Sequence, residues 1–173
     1  MEPGITIITA DRSYAAVLTT LGATTFLQTF EKDNSPEDMA KYLAEEMNLE
    51  KITDELNDPA NTFYLALSAD SPVGFAKVRG RCAPSEPEDP NAMEIERLYV
   101  LQAYHGHKIG AALMQHCLDH ARAHGYTTVW LGVWEYNHKA IAFYRRWGFA
   151  FFGSHSFWVG NDEQTDLLMK KQL

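Results

Sequence analysis

Two segments carry residues whose types and spacing can do chemistry. The first, Glu94 to Ala111, reads EIERLYVLQAYHGHKIGA: a strand pattern, a short loop with Gly106, then a helix with Gly110 in its first turn. The leading amides of a helix have no intrahelical acceptor, and the helix dipole adds to their positive potential, so this junction is an anion site. Gly106 and Gly110 have no side chain to hold a bulky phosphate away from the backbone. A pyrophosphate is the expected ligand, and ordinary turn chemistry is the bland alternative. Neither the Walker nor the Rossmann spacing occurs. The second segment runs from Asn137 through NHKAIAFYRRWGF. Asn137 caps a helix with Ala140, Ile141, Tyr144 and Trp147 on one face, and Gly148 turns the chain out of it.

Carboxylates precede the glycine loop. Strand alternation puts Glu94 and Glu96 on the same face as Leu98 and Val100. Either glutamate there can accept a proton, or else pair with Arg79 or Arg97. His116, His120 and His124 recur every four residues along one helix stripe, a spacing at which neighbouring pairs can share zinc. No carboxylate or cysteine completes such a site, so no metal is expected. Cys117 falls on the inner face of the same helix and reads as a core residue.

The elements that position these residues follow from pattern and punctuation. Gly4–Thr9 reads as a strand, and Asp11 or Ser13 caps a helix running towards Phe26. Ser35-Pro36-Glu37-Asp38 starts a second helix, expected to run from Met39 through Ile52 to Leu56. Strands Thr62–Leu67 and Val73–Arg79 form a hairpin, and Pro84–Asn91 is a surface loop. Further strands are expected at Met93–Val100, Thr127–Trp134, Phe151–Val159 and Thr165–Lys170, and helices at Lys108–His124 and Asn137–Trp147. The result is a single α/β (α+β) domain over residues 1–173, its sheet partly antiparallel and partly parallel.

Composition bounds the function. The 173 residues are 46% hydrophobic and 22% charged, the balance of a globular domain. A net charge of −8 argues against nucleic acid as partner and suits a cationic substrate, as well as plain solubility. No apolar run reaches the ~20 residues of a membrane span. Met1-Glu2-Pro3-Gly4 does not open a signal peptide, and Cys82 and Cys117 form no ligand-type pair. A cytoplasmic protein is expected. Phe151, Phe152, Phe157 and Trp158 in the tail suit either a homodimer surface or the core.

From about Thr62 to Phe152 the two motifs together resemble the GNAT superfamily of acetyl-CoA-dependent N-acetyltransferases. The family's loop pattern, [Q/R]-x-x-G-x-[G/A], falls on His105-x-x-Lys108-x-Gly110. His105 replaces the usual Gln or Arg, and Lys108 the first glycine, a replacement that suits a negative φ. The run GSHSFWVGNDEQTDLLMKK, with Thr25-Phe26 and Thr29-Phe30 earlier, is similar to PaiA-type spermidine/spermine acetyltransferases. The resemblance implies a mostly antiparallel twisted sheet of about seven strands flanked by helices. It implies acetyl-CoA as co-substrate: Leu98, Tyr99 and Val100 hold the pantetheine arm by their backbones. The amides of His105, Gly106, His107, Lys108, Ile109, Gly110 and Ala111 hold the pyrophosphate, and Asn137 and Lys139 lie on the far side. Tyr144 corresponds to the tyrosine near the sulfur, as acid, and Glu94, or Glu96, to the base. Glu31, Asp33, Tyr42 and His155 are candidates for holding a small cationic amine, with Trp158 beside them. A different amine acceptor (a protein N-terminus, a lysine, an aminoglycoside) and a CoA-binding regulator with little turnover stay open.

Overall fold

Short alternating strands bounded by turn residues dominate the middle and end of the chain, and helices fill the gaps. The computed structural model describes residues 4–80 and 89–173, so Met1–Pro3, Cys82 and most of the Pro84–Asn91 loop lie outside the described residues. Seven strands form one sheet: β1 (Ile5–Ala10), β2 (Asn61–Ser68), β3 (Ser71–Gly80), β4 (Ala92–Val100), β5 (Thr128–Trp134), β6 (Ala150–Val159) and β7 (Asp162–Gln172). Their order is β1-β2-β3-β4-β5-β7-β6, and every neighbouring pair is antiparallel except β4 with β5. The expected mixed, mostly antiparallel sheet is therefore present.

Helices cover both faces. On one side, α1 (Ala15–Phe30), α2 (Pro36–Glu46) and α3 (Leu49–Asn57) bury Leu18, Leu21, Met47 and Ile52 against Phe63, Leu65 and Phe75. On the other, α4 (Ile109–Ala123) and α5 (His138–Arg146) bury Leu113, Met114, Cys117 and Ile141 against Met93, Ile95, Val129 and Leu131. Each such large apolar side chain contributes roughly 1.5–3 kcal/mol when fully buried.

Local chemistry sets the boundaries. Asp11 accepts the Ser13 amide at 2.8 Å and opens a 3-10 turn before α1. Ala69 and Asp70 turn the β2–β3 hairpin with both φ positive, at 46° and 67°. Gly125 and Gly148, at φ +77° and +91°, end α4 and α5. The expected helix from Met39 to Leu56 is instead two. Met47 leaves helical geometry at ψ 48°, and the Asn48 side chain caps α3 by accepting the Lys51 amide at 2.8 Å.

One irregularity decides the site. The β3–β4 register steps from Lys77↔Arg97 to Val78↔Ile95, which leaves Glu96 as an extra residue in a β-bulge. Parity flips there. Leu98 and Val100 pack with Met93 and Ile95 towards α4, while Glu94 points to the opposite face with Tyr99. The expectation that Glu94, Glu96, Leu98 and Val100 share one face is thus corrected: the bulge separates the glutamates from the two apolar residues.

Candidate active site

The parallel β4–β5 pairing covers only Ala92↔Thr128, Met93↔Val129 and Glu94↔Trp130. Beyond it β4 keeps β3 on one edge, and β5 continues beside β7 to Trp134. The two strands splay, and the backbone of Leu98, Tyr99 and Val100 borders the opening. The loop after β4 leads to α4, whose N-cap, Lys108, has φ +60° and no capping side chain. Lys108 therefore does not take the negative φ that would suit a lysine in place of the glycine. The lysine is held left-handed at a cost on the order of 1 kcal/mol. Gly106 takes φ +86° without strain. Lys108, with His107 before it, stands at the positive end of a helix; the lysine's charge is the wrong sign for the dipole and the right one for a phosphate. Ile109 is buried beneath this turn, and a Cβ on Gly110 would stand 3.8 Å from the Phe143 ring. Ala111 is half-buried beside them.

Across the opening, Asn137 caps α5 by accepting the Ala140 amide at 3.2 Å. Lys139 Nζ lies 3.3 Å from His105 Nδ1, and His105 Nε2 lies 2.9 Å from the Val100 carbonyl. An ammonium can only donate, so Nδ1 accepts from Lys139 and the ring proton on Nε2 is donated to Val100. The sequence-expected cofactor residues thus meet around one mouth. Uncapped amides, flanking cations and an open strand edge fit the pyrophosphate and amide-bearing arm of acetyl-CoA.

Tyr144 projects from α5 into the packed side of this opening, its ring 5.9 Å from that of Phe149. Burial, then the nearby Tyr99 phenol and Cys117, push its pKa up, so it keeps its proton. Cys117 is itself buried, and burial pushes its thiol up to about 12, out of reach as a nucleophile.

The opposite face carries the carboxylates. Burial first, then the charge of Glu96, push Glu94 up to about 7, against the pull of Arg79, Lys77 and Arg97. Arg79 Nη1 stands 3.7 Å from Glu94 Oε1. Glu96 is committed elsewhere: its Oε2 is 2.5 Å from Lys77 Nζ and 3.8 Å from Arg79 Nε. Tyr99, raised to about 12 by burial, shares the face. Tyr42 stacks on Phe26 with centroids 4.0 Å apart and is influenced by Tyr99 and Glu96. His155 pairs with Asp166 at 3.6 Å, and both lie over Gly132, where a Cβ would stand 3.1 Å from Asp166 Oδ2. Burial pushes Asp166 up to about 6, with His155 opposing.

Among the acceptor-site candidates, then, Tyr42 and His155 lie on the Glu94 face, while Glu31 and Asp33 stand exposed on the turn that ends α1. Asp166 is the residue that sequence reading missed. Its signal was strand parity: it lies opposite His155 and next to the side-chain gap at Gly132. Of the tail aromatics, Phe152 and Phe157 are half-buried, whereas Phe151 and Trp158 are 42% and 55% exposed. On α4, the Tyr64 hydroxyl bonds His120 Nδ1 at 2.8 Å and the His124 ring stacks on His120 at 4.0 Å. Among the described residues no helix is long and apolar enough to cross a membrane.

Comparison with known proteins agrees with this geometry. Residues 24–149 match the model of the acetyltransferase (GNAT) family. An uncharacterized N-acetyltransferase of Lactobacillus delbrueckii subsp. lactis is 36% identical over 170 residues, covering 98% of both chains. A streptothricin acetyltransferase of Streptomyces lavendulae is 37% identical over 103 residues, 59% of this chain and 51% of that one. The crystal structure of the PaiA N-acetyltransferase of Thermoplasma acidophilum in complex with coenzyme A superposes with a TM-score of 0.81 at 20% identity, covering 98% and 99%. The chain belongs to the GNAT family of acetyltransferases. It is an N-acetyltransferase, and its acyl donor is acetyl-CoA.

Proposed function

We propose that residues 1–173 work as one unit that acetylates a primary amine of a small cationic acceptor of the polyamine class, with Glu94 as base and Tyr144 as acid. The observation that carries this reading is Glu94: a carboxylate beside the β4–β5 opening, shifted up to about 7 by burial and by Glu96. A polyamine nitrogen has a pKa on the order of 10, as lysine does, and only its deprotonated form attacks a carbonyl. A base tuned near neutrality suits that task. Glu96 is the weaker candidate because Lys77 already holds it. Glu94 takes the amine proton as the new C–N bond forms. Tyr144 supplies a proton to the departing sulfur as the C–S bond breaks. Val100 and its neighbours hold the pantetheine arm, the amides from His105 to Ala111 hold the pyrophosphate, and Asn137 and Lys139 flank it.

The acceptor lies on the Glu94 face. Asp166 and His155 sit at its far end, Tyr42 and Tyr99 offer aromatic surface, and Glu31 and Asp33 lend negative potential from the rim. The tail motif and the −8 net charge support a cation. A second reading, an antibiotic amine, is favoured by the 37% identity to the streptothricin enzyme. Following free thiol from acetyl-CoA with spermidine, spermine, a lysine peptide and streptothricin separates them. Release with the two polyamines is expected. Release with streptothricin alone supports the second reading. Binding of acetyl-CoA without release for any amine means a regulator.

A further inference from the structure

Beneath the β4 bulge lies a buried ionic cluster whose members other than Glu94 take no part in the proposed proton transfer. Lys77 and Arg97 are only 2% and 7% exposed. Glu55, from α3, grips Arg97 with both oxygens, at 2.7 and 3.1 Å, and reaches Lys77 at 3.2 Å. Lys77 continues to Glu96 at 2.5 Å, and Arg79 reaches both Glu96 and Glu94. Among the described residues three cations thus face three carboxylates, and on β5 the uncharged Trp130 stands in register with Glu94. Burial works to raise Glu55, but Arg97 and Lys77 outweigh it and hold it below the usual carboxylate range.

We propose that Glu55 is a positioning residue for acetyl transfer: by neutralising Arg97 and Lys77 it leaves Glu94 able to take up a proton. The inference rests on the reading of Glu94 as base. Without Glu55 the described residues of the cluster would be three cations and two carboxylates, and Glu94 would become a counter-ion. A carboxylate held that way is ionised but is a poor proton acceptor. Anchoring α3 does not require the cluster, because Ile52 and Leu56 already pack it on the sheet. Buried ion pairs are, moreover, weak contributors to net stability.

The test reads the Glu94 midpoint by carboxyl-carbon NMR titration without acetyl-CoA, alongside the pH profile of kcat/KM. Glu55→Gln should lower both the midpoint and the acid limb by about one pH unit, the low end of a charge-partner shift. Arg97→Gln should raise both by a similar amount, and the double variant should return them close to wild type. A purely structural cluster, once loosened, would admit water and move both single variants downward. Single variants that move together, or not at all, overturn the proposal. Should Glu55→Gln fail to fold, Arg97→Gln against the double variant reads the same charge. Glu94→Gln separates the two readings: if it keeps full kcat/KM and its acid limb, the base assignment is wrong. If it is crippled while the other variants leave the midpoint unmoved, only the role of Glu55 falls.

Discussion

Glu94 and Tyr144 face each other's chemistry from opposite sides of the sheet. One is a carboxylic acid made reluctant to ionise, the other a phenol that never does so in the working range. As the proposed base Glu94 would work deprotonated, so kcat/KM should rise with pH and bend near 7. Glu94→Gln should abolish that bend and cost on the order of a hundredfold, the usual worth of a positioned base. Tyr144→Phe should lower kcat by a similar factor while leaving acetyl-CoA affinity, read by calorimetry, nearly unchanged. Asp166→Asn should raise KM for spermidine about tenfold, near 1.4 kcal/mol, with little effect on a simple monoamine. Equal losses for both amines would remove Asp166 from acceptor recognition. Type and spacing made the Asn137 cap, the glycine turn before α4 and the inward face of α5 that carries Tyr144 legible in the sequence. What separates Glu94 from Glu96 was not legible: Lys77, which holds Glu96, lies on another strand.

At the scale of elements, strands ending at Asp, Asn and Gly were readable because those residues carry their own turn geometry. Two features were not. Asn48 sits amid helix-forming residues, and only its bond to the Lys51 amide shows that a new helix begins there. Asn48→Ala should cost about 1 kcal/mol, seen as a lower urea midpoint. The bulge leaves still less trace: Glu96 is an ordinary strand residue, and its being unpaired is a property of β3 and β4 together. Periodicity therefore located β4 correctly and aimed half of it the wrong way.

For the whole molecule, proton uptake links stability to the site. Glu94 and Asp166 both bind protons more tightly folded than unfolded, at about 7 and about 6 against ordinary values of 4.5 and 3.8. Their stabilisation is full below the unfolded values and is lost as pH rises through the folded ones. Glu55 runs the other way, and its share is lost in acid. Stability, measured by urea titration, should therefore fall between pH 5 and 8 by about 3 kcal/mol or less from Glu94. Glu94→Gln should flatten much of that slope. The protein would then be sturdiest where it is least active, with its base protonated.

The bulge at Glu96 acts on β4 much as a reading frame acts on a message. Upstream of it odd-numbered side chains face α4; downstream even-numbered ones do. Removing that single residue would set Arg97 directly after Ile95, opposite Lys77 and Val78 as now, so Leu98 and Val100 would keep their core face while Lys77 lost its Glu96 partner. An in-frame deletion of one codon should thus disturb the core less at Glu96 than at Tyr99, where it would swing Val100 to the opposite face, although the composition of the strand would hardly change in either case.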